Sequence, residues 1–233
     1  MGVASPTEGN PPRLSLLDDT SPDGAAREHA LGGQTKRSVD VAIAAAALLL
    51  LLPLLLLIAM LIKFCNGGPV LYCQERIGHN GRSFRCWKFR TMRPDSESVL
   101  REHLRRSPEA AGEWNREHKL KNDPRVTALG AVLRQLSIDE LPQLMNILRG
   151  EMSIVGPRPV VVDELQRYGQ DAVFYFRARP GLTGAWQVSG RNDISYERRV
   201  ALDRQYVESW SLLVDVIIIV RTIPVVLLAK GSY

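Results

Sequence analysis

The chain is poor in the residues that build disulfide frameworks, zinc cages and base-stacking platforms. It has three cysteines in 233 residues. Cys65, Cys73 and Cys86 form no CxxC pair and are odd in number, which argues against a disulfide framework or zinc site and fits a reducing compartment. Aromatic residues make up 6%, and no stretch interleaves them with basic residues as a single-strand binding groove would. Nucleic acid is therefore not an expected partner. No internal repeat is visible. The start of the chain has no basic n-region followed by an apolar run, so no secretion leader is expected there.

What is present is uneven. The formal net charge is +5, a balance that by itself suits nucleic acid, an anionic membrane face or a phosphorylated substrate. Residues 1–35 are rich in Pro, Gly, Ser, Asp and Glu and read as a disordered tail. Lys36, Arg37 and Asp40 follow, then a nearly pure Ala, Leu and Ile run from Val41 to Ile62, long enough to span a bilayer. Pro53 lies in its middle, where it removes a backbone hydrogen bond and bends the helix. Basic residues flank both sides, Lys36 and Arg37 before and Lys63 after, as if both ends stayed on one face of the membrane.

Val70 to Ile77 and Ser83 to Thr91 read as a β-hairpin around Asn80-Gly81, a strong turn signal. Lys88 and Arg90 lie two apart and would share a face of the second strand. Residues 94–121 are densely charged and read as one or two surface helices. Thr127 is a candidate N-cap for a helix carrying Leu129, Val132, Leu133 and Leu136 inward, with Arg134 near its end.

The densest chemistry follows. Ser137 and Glu140 have capping-box spacing, so a helix is expected from Ile138, with Leu141, Leu144, Ile147 and Leu148 as its buried stripe. Asp139 and Glu140 would then be adjacent carboxylates at the positive end of a helix, which favours their ionised form and attracts phosphate. A carboxylate in such a place can act as nucleophile or metal ligand; first-turn acids are also common as plain helix stabilisers. Arg158, held between Pro157 and Pro159, is a guanidinium on a stiff loop, suited to clamping an oxyanion. A Gly-rich stretch from Pro180 to Arg191 would let backbone N–H groups approach a phosphate. Ser195 to Trp210 reads as a helix with Asp203 and Tyr206 on one face. Leu212 to Leu228 is apolar but carries Asp215, Arg221 and Pro224, which favours an interfacial helix over a span.

The run from Leu136 through Asn146 to Pro159, with Lys88-Phe89-Arg90-Thr91-Met92 and the Gly-rich stretch, closely resembles the bacterial sugar transferases that initiate surface polysaccharides, the monotopic phosphoglycosyl transferases. The likeness covers about Lys36 to Tyr233. It implies an α+β, mainly α fold: an N-terminal re-entrant membrane helix hairpin (36–64) broken at Pro53, a small β-hairpin, and interfacial amphipathic helices around a cytoplasmic catalytic core (65–233). The family's polar residue before the break is replaced here by Leu52. The resemblance also implies placement on the cytoplasmic face of a bacterial inner membrane. The implied reaction moves a hexose-1-phosphate, galactose or glucose, from a UDP-sugar to undecaprenyl phosphate, releasing UMP. Asp139 would form a covalent phosphosugar intermediate, and Glu140 would hold Mg2+. Lys88, Arg90, Arg134, Arg158, Arg191 and Asp203 would line the phosphate site. Lys36, Arg37, Asp40 and Pro53 would form the membrane entrance. UDP-sugar, undecaprenyl phosphate and membrane lipid are the implied partners, and homo-oligomerisation is left open. The competing readings are a membrane-anchored basic binding module and an assembly subunit without catalysis.

Overall fold

The computed structural model describes residues 29–117, 120–190 and 194–227. Most of the expected tail lies outside them, but Ala30 is buried and Leu31 N donates to Arg177 O. The folded body therefore begins before Lys36.

The apolar run forms one helix, α1 (Gly33–Asn66), 34 residues and about 50 Å long at 1.5 Å per residue. Pro53 lies inside it, and the helix runs on through that residue. A proline removes one rung of the backbone ladder, and both halves of this helix are fixed by packing at their far ends. The hairpin forms as expected: β1 (Leu71–Ile77) and β2 (Ser83–Phe89) pair antiparallel from Leu71 opposite Phe89 to Ile77 opposite Ser83. Asn80 and Gly81 both take positive φ, 56° and 71°, the geometry that favours Asn-Gly in tight turns.

The charged segment gives two helices, α2 (Ser96–Arg106) and α3 (Pro108–Glu117). Helix α4 (Ala128–Gln135) starts on Thr127, whose hydroxyl accepts from Gly130 N at 3.0 Å. Leu133 is buried and Leu129 packs beside it. Val132 and Leu136 are exposed, so the inward stripe is narrower than expected. A 3-10 turn (Ile138–Glu140) and α5 (Gln143–Arg149) follow. Strand β3 (Ser153–Val155) then pairs in parallel with β4 (Gly181–Thr183), a sheet too short to leave a periodic signal. Between them lie α6 (Val162–Leu165) and α7 (Ala172–Arg177). The described chain closes with α8 (Tyr196–Glu208), capped by Ser195, and α9 (Leu212–Leu227).

The mainly helical fold with a small two-stranded sheet agrees with expectation. Its main core joins α1, β2, α5, β3, α8 and α9 through Ala44, Cys86, Ile147, Met152, Tyr206 and Ile218. Among the described residues, α1 is the one helix long and apolar enough to cross a membrane. Helix α9 turns Asp215 inward and leaves Leu213, Val216 and Val220 exposed.

Candidate active site

The polar residues at the start of α1 are fasteners. Lys36 Nζ meets Asp215 Oδ2 at 2.6 Å in the interior. Asp215 also accepts from Tyr206 OH at 2.7 Å and Trp210 Nε1 at 3.1 Å. Arg37 donates to the carbonyls of Ile147 and Leu148, at 2.5 and 2.9 Å, in the last turn of α5. Asp40 Oδ1 accepts from Ile154 N at 3.0 Å. These three residues tie α1 to α5, β3 and α9 and stand apart from the carboxylate pair in role. Pro53 lies farther along α1, among exposed leucines.

The carboxylate pair is reached differently from expectation. Ser137 makes no side-chain cap and sits at φ 56°, ψ 20°. Its N–H closes the end of α4 by donating to Arg134 O at 3.0 Å, and its left-handed backbone differs from the extended conformation of an N-cap. It is one of two non-glycine residues with positive φ among the described residues, a conformation that costs on the order of 1 kcal/mol. That turn sets Asp139 inward, 8% exposed, and Glu140 at the mouth of the site.

Burial, then the neighbouring Glu140, pushes the Asp139 carboxyl up to about 6, against the pull of Lys88 and Arg134. The expectation that the helix end would favour ionisation is therefore corrected. A single 3-10 turn carries little aligned dipole, and desolvation wins. Lys88 Nζ meets Glu140 Oε1 at 2.6 Å. Burial alone would lower the Lys88 ammonium, but Glu140 and then Asp139 hold it above its usual value. Arg134, on α4, approaches Asp139 and fixes its Nε on Thr91 Oγ1 at 2.8 Å.

Arg90 lines the same cavity as Lys88 and the carboxylates, but its guanidinium is turned to a backbone carbonyl. The strand ends at Phe89, and the Arg90 guanidinium donates to Gly67 O in the loop after α1. Arg158 does converge on the site: with Lys88, Arg134, Asp139 and Glu140 it lines one cavity of about 2100 Å³. Its guanidinium lies 5.1 Å from the centroid of the Trp186 ring. Asp203 does not line this cavity. It is buried behind Arg158, where Oδ2 accepts from Tyr168 OH at 2.8 Å and Arg158 N at 3.4 Å. Burial pushes its carboxyl up to about 7. Arg191 lies outside the described residues.

Within the Gly-rich stretch, Gly181 is used by the protein itself, closing on Gly156, which lies outside that stretch. Gly156 N donates to Thr183 O and Gly181 N to Pro157 O, at 3.0 and 2.8 Å. A Cβ on Gly156, Gly181 or Gly184 would strike the backbone of the opposing segment. These glycines let β3 and β4 close on each other.

Sequence reasoning missed Arg76, Trp186 and Arg199. Arg76 Nη1 donates to Pro159 O at 3.1 Å and pairs with Glu164 at 3.5 Å, holding the Arg158 loop from the hairpin side. Arg199 also lies 5.1 Å from the Trp186 centroid. Its place one helical turn before Asp203 was the available signal.

The cavity has an apolar wall as well as a charged floor. Ile43, Ala47 and Leu51 of α1 and Ile219 and Ile223 of α9 face the space that contains Asp139. The arrangement can hold a phosphate against a buried carboxylate, neutralise it with Lys88, Arg134 and Arg158, and admit an apolar chain. Among the described residues no group of three or more His, Cys, Asp or Glu side chains forms a metal cage.

The family model described as bacterial sugar transferase matches residues 32–229. The exopolysaccharide production protein ExoY of Rhizobium meliloti (strain 1021) is 59% identical over 212 residues, covering 91% of this chain and 94% of the relative. The undecaprenyl-phosphate galactose phosphotransferase of Salmonella typhimurium (strain LT2) is 52% identical over 168 residues, 72% of this chain but 35% of that longer protein. The undecaprenyl-phosphate glucose phosphotransferase of Komagataeibacter xylinus is 40% identical over 211 residues, 85% of this chain and 37% of the relative.

Proposed function

The chain belongs to the bacterial sugar transferase family, and on that premise we propose that it transfers a hexose-1-phosphate from a UDP-sugar to undecaprenyl phosphate, the first membrane step of an exopolysaccharide. The observation that carries this reading is the single cavity that joins a buried carboxylate, three cations and an apolar wall. The relatives' names support the carrier and the reaction type. Galactose is the leading donor sugar, with glucose as the alternative.

The proposed chemistry uses this cavity in two displacements. An oxygen of ionised Asp139 attacks the sugar-side phosphorus of the diphosphate. The bond from that phosphorus to the bridging oxygen breaks, and UMP leaves with the electron pair. The phosphosugar is then an acyl phosphate on Asp139. An oxygen of undecaprenyl phosphate attacks the same phosphorus, and the Asp139 carboxylate leaves. Raising the carboxylate's affinity for protons also raises its basicity, and at about 6 it remains ionised at neutral pH. Lys88, Arg134 and Arg158 offset the phosphate charge as it shifts between oxygens.

Mg2+ fits this donor set, because that ion is commonly held by one or two carboxylates and the substrate's own phosphates. Glu140 at the mouth of the site would hold it. The ion supplies charge neutralisation to the diphosphate when bound.

The test is a burst experiment on the purified protein. With UDP-galactose and Mg2+ and no acceptor, UMP should appear at up to one equivalent per active site. Release that strictly requires undecaprenyl phosphate rejects the covalent intermediate in favour of direct displacement.

We also propose that α1 enters the bilayer and leaves on the same face, with the catalytic body on the cytoplasmic side. Both ends of α1 dock on that body. Lys36 and Asp40 lock the first end. At the other, Ile58 and Ile62 pack against Phe89 and Leu133, and Asn66 donates to Thr127 at 3.2 Å. Leu49 and Leu50, between them, are 78% and 80% exposed. A helix crossing the full bilayer cannot leave both ends on one body. Single cysteines placed at residues 20 and 67 of a Cys-free chain should both resist an impermeant thiol reagent in intact cells. Labelling of the residue-20 site alone means a true span.

A further inference from the structure

Three guanidiniums meet at the edge of the cavity with too little acid to match them: Arg76 and Arg158 line it, and Arg199 stands against Trp186, which also lines it. Arg76 comes from β1, Arg158 from the proline-flanked loop and Arg199 from α8. Arg158 and Arg199 lie equally close to the Trp186 ring, and neither forms an ion pair among the described residues. Arg199 Nε is buried and has no hydrogen-bond partner among the described residues. Only Arg76 is paired, with Glu164 at 3.5 Å. The nearby Asp203 spends its Oδ2 on Tyr168 and the Arg158 backbone and gives neither guanidinium a salt bridge.

Burial and the proximity of Arg158 both lower the Arg199 guanidinium's hold on its proton. The same repulsion reaches Arg76. Like charges held together at a partly dry site destabilise a fold unless an anion joins them. An aromatic ring orients a guanidinium without consuming its N–H groups, because the cation rests on the ring's π face. Trp186 therefore holds two forks while leaving their donors for a ligand.

We propose that Arg199 completes, with Arg158 and Arg76, a phosphate-binding subsite, and that it is a substrate-binding residue of the transfer reaction. This rests on the transferase reading above. The ligand is a phosphate group, from either of two sources: the nucleotide of the donor or the headgroup of the lipid acceptor. Planar guanidiniums bind phosphate oxygens through paired N–H groups, which a lysine reproduces poorly.

The experiment uses the full-length protein in detergent, with Arg199→Gln and Arg199→Lys variants. Dissociation constants are measured by calorimetry for UMP and, separately, for undecaprenyl phosphate, alongside thermal melting without ligand. The glutamine variant should weaken one of the two ligands about tenfold or more, and the lysine variant should recover only part of it. The ligand that weakens identifies the source. Melting of the free glutamine variant should stay level or rise, because removing a repelling charge relieves the unliganded site. Unchanged affinity for both ligands overturns the proposal, as does a lowered melting point with unchanged affinities, which marks a purely structural arginine. Turnover of UDP-galactose by the parent protein is scored separately: its absence rejects the transferase reading, and its presence with unaltered Arg199 variants rejects the subsite alone.

Discussion

The base of α1 and the floor of the cavity both bury charge, yet they treat it in opposite ways. At the base, Lys36 and Asp215 pair at 2.6 Å, and two further donors complete Asp215. At the floor, Lys88 and Glu140 also pair at 2.6 Å, but Asp139 has its carboxyl pushed up to about 6 and Arg158 forms no ion pair among the described residues. The first arrangement holds elements together with its charges satisfied. The second pairs only part of its charge, keeping Asp139 desolvated and Arg158 without an ion pair, which weakens the fold and leaves them for a substrate. The same residue types therefore serve anchoring in one place and chemistry in the other, and pairing tells them apart.

The largest effect that sharpens this contrast is at Asp139. Asp139→Asn keeps the shape and removes the nucleophile, so transfer should fall by about 10³-fold or more. Stability should move the other way. Below about pH 4 the carboxyl is protonated in the folded and unfolded chain alike. Between there and about 6 the unfolded form ionises first, so the parent protein loses stability relative to the Asn variant as pH rises, and the deficit persists above that window. The parent's rate should also fall as pH drops through about 6. Thermal melting of both proteins at pH 5 and 8, with turnover against pH, checks all three statements. A variant that keeps turnover removes Asp139 from the chemistry.

The anchor should respond in the reverse sense. Lys36→Met strands Asp215 in the interior, and losing one partner of a buried pair costs roughly 3–5 kcal/mol. The double change Lys36→Met with Asp215→Leu should recover much of that loss. Denaturant unfolding in detergent measures it. A single variant as stable as the parent breaks the contrast drawn here.

The smallest of the three effects concerns Arg158. Arg158→Lys retains the charge but loses the planar fork and the stacking on Trp186, so kcat/KM should drop by roughly tenfold to a hundredfold. Melting should shift little, because the loop is held by the Arg158 backbone N–H and by Arg76 on Pro159 O. A lysine variant with full activity makes Arg158 structural.

Several parts of the molecule were legible from residue order because their causes are local. The Asn80-Gly81 hairpin, the Thr127 and Ser195 caps and the apolar length of α1 each depend on a few neighbouring residues. The Asp139-Glu140 pair and Arg158 were also picked out, since adjacent acids and a proline-flanked arginine are visible in one dimension. The Ser137 cap failed because that residue takes a left-handed backbone between α4 and the 3-10 turn rather than an extended one. Within the expected phosphate cradle, the Gly181 N–H is taken by Pro157 O, a pairing with a distant segment that residue order does not show.

By itself the sequence determined the helix and turn positions, the bilayer-length run and the inventory of charged groups, because propensity and periodicity act within a few residues. Only the tertiary structure decided which charges are satisfied. It sent Lys36 to Asp215 across 179 positions. It put Arg90 on the α1 loop and Asp203 behind Arg158, and brought Arg76 and Arg199 to one corner from opposite ends of the chain. Pairing and desolvation depend on distance in space, and burial set the Asp139 carboxyl against the direction its local turn suggested.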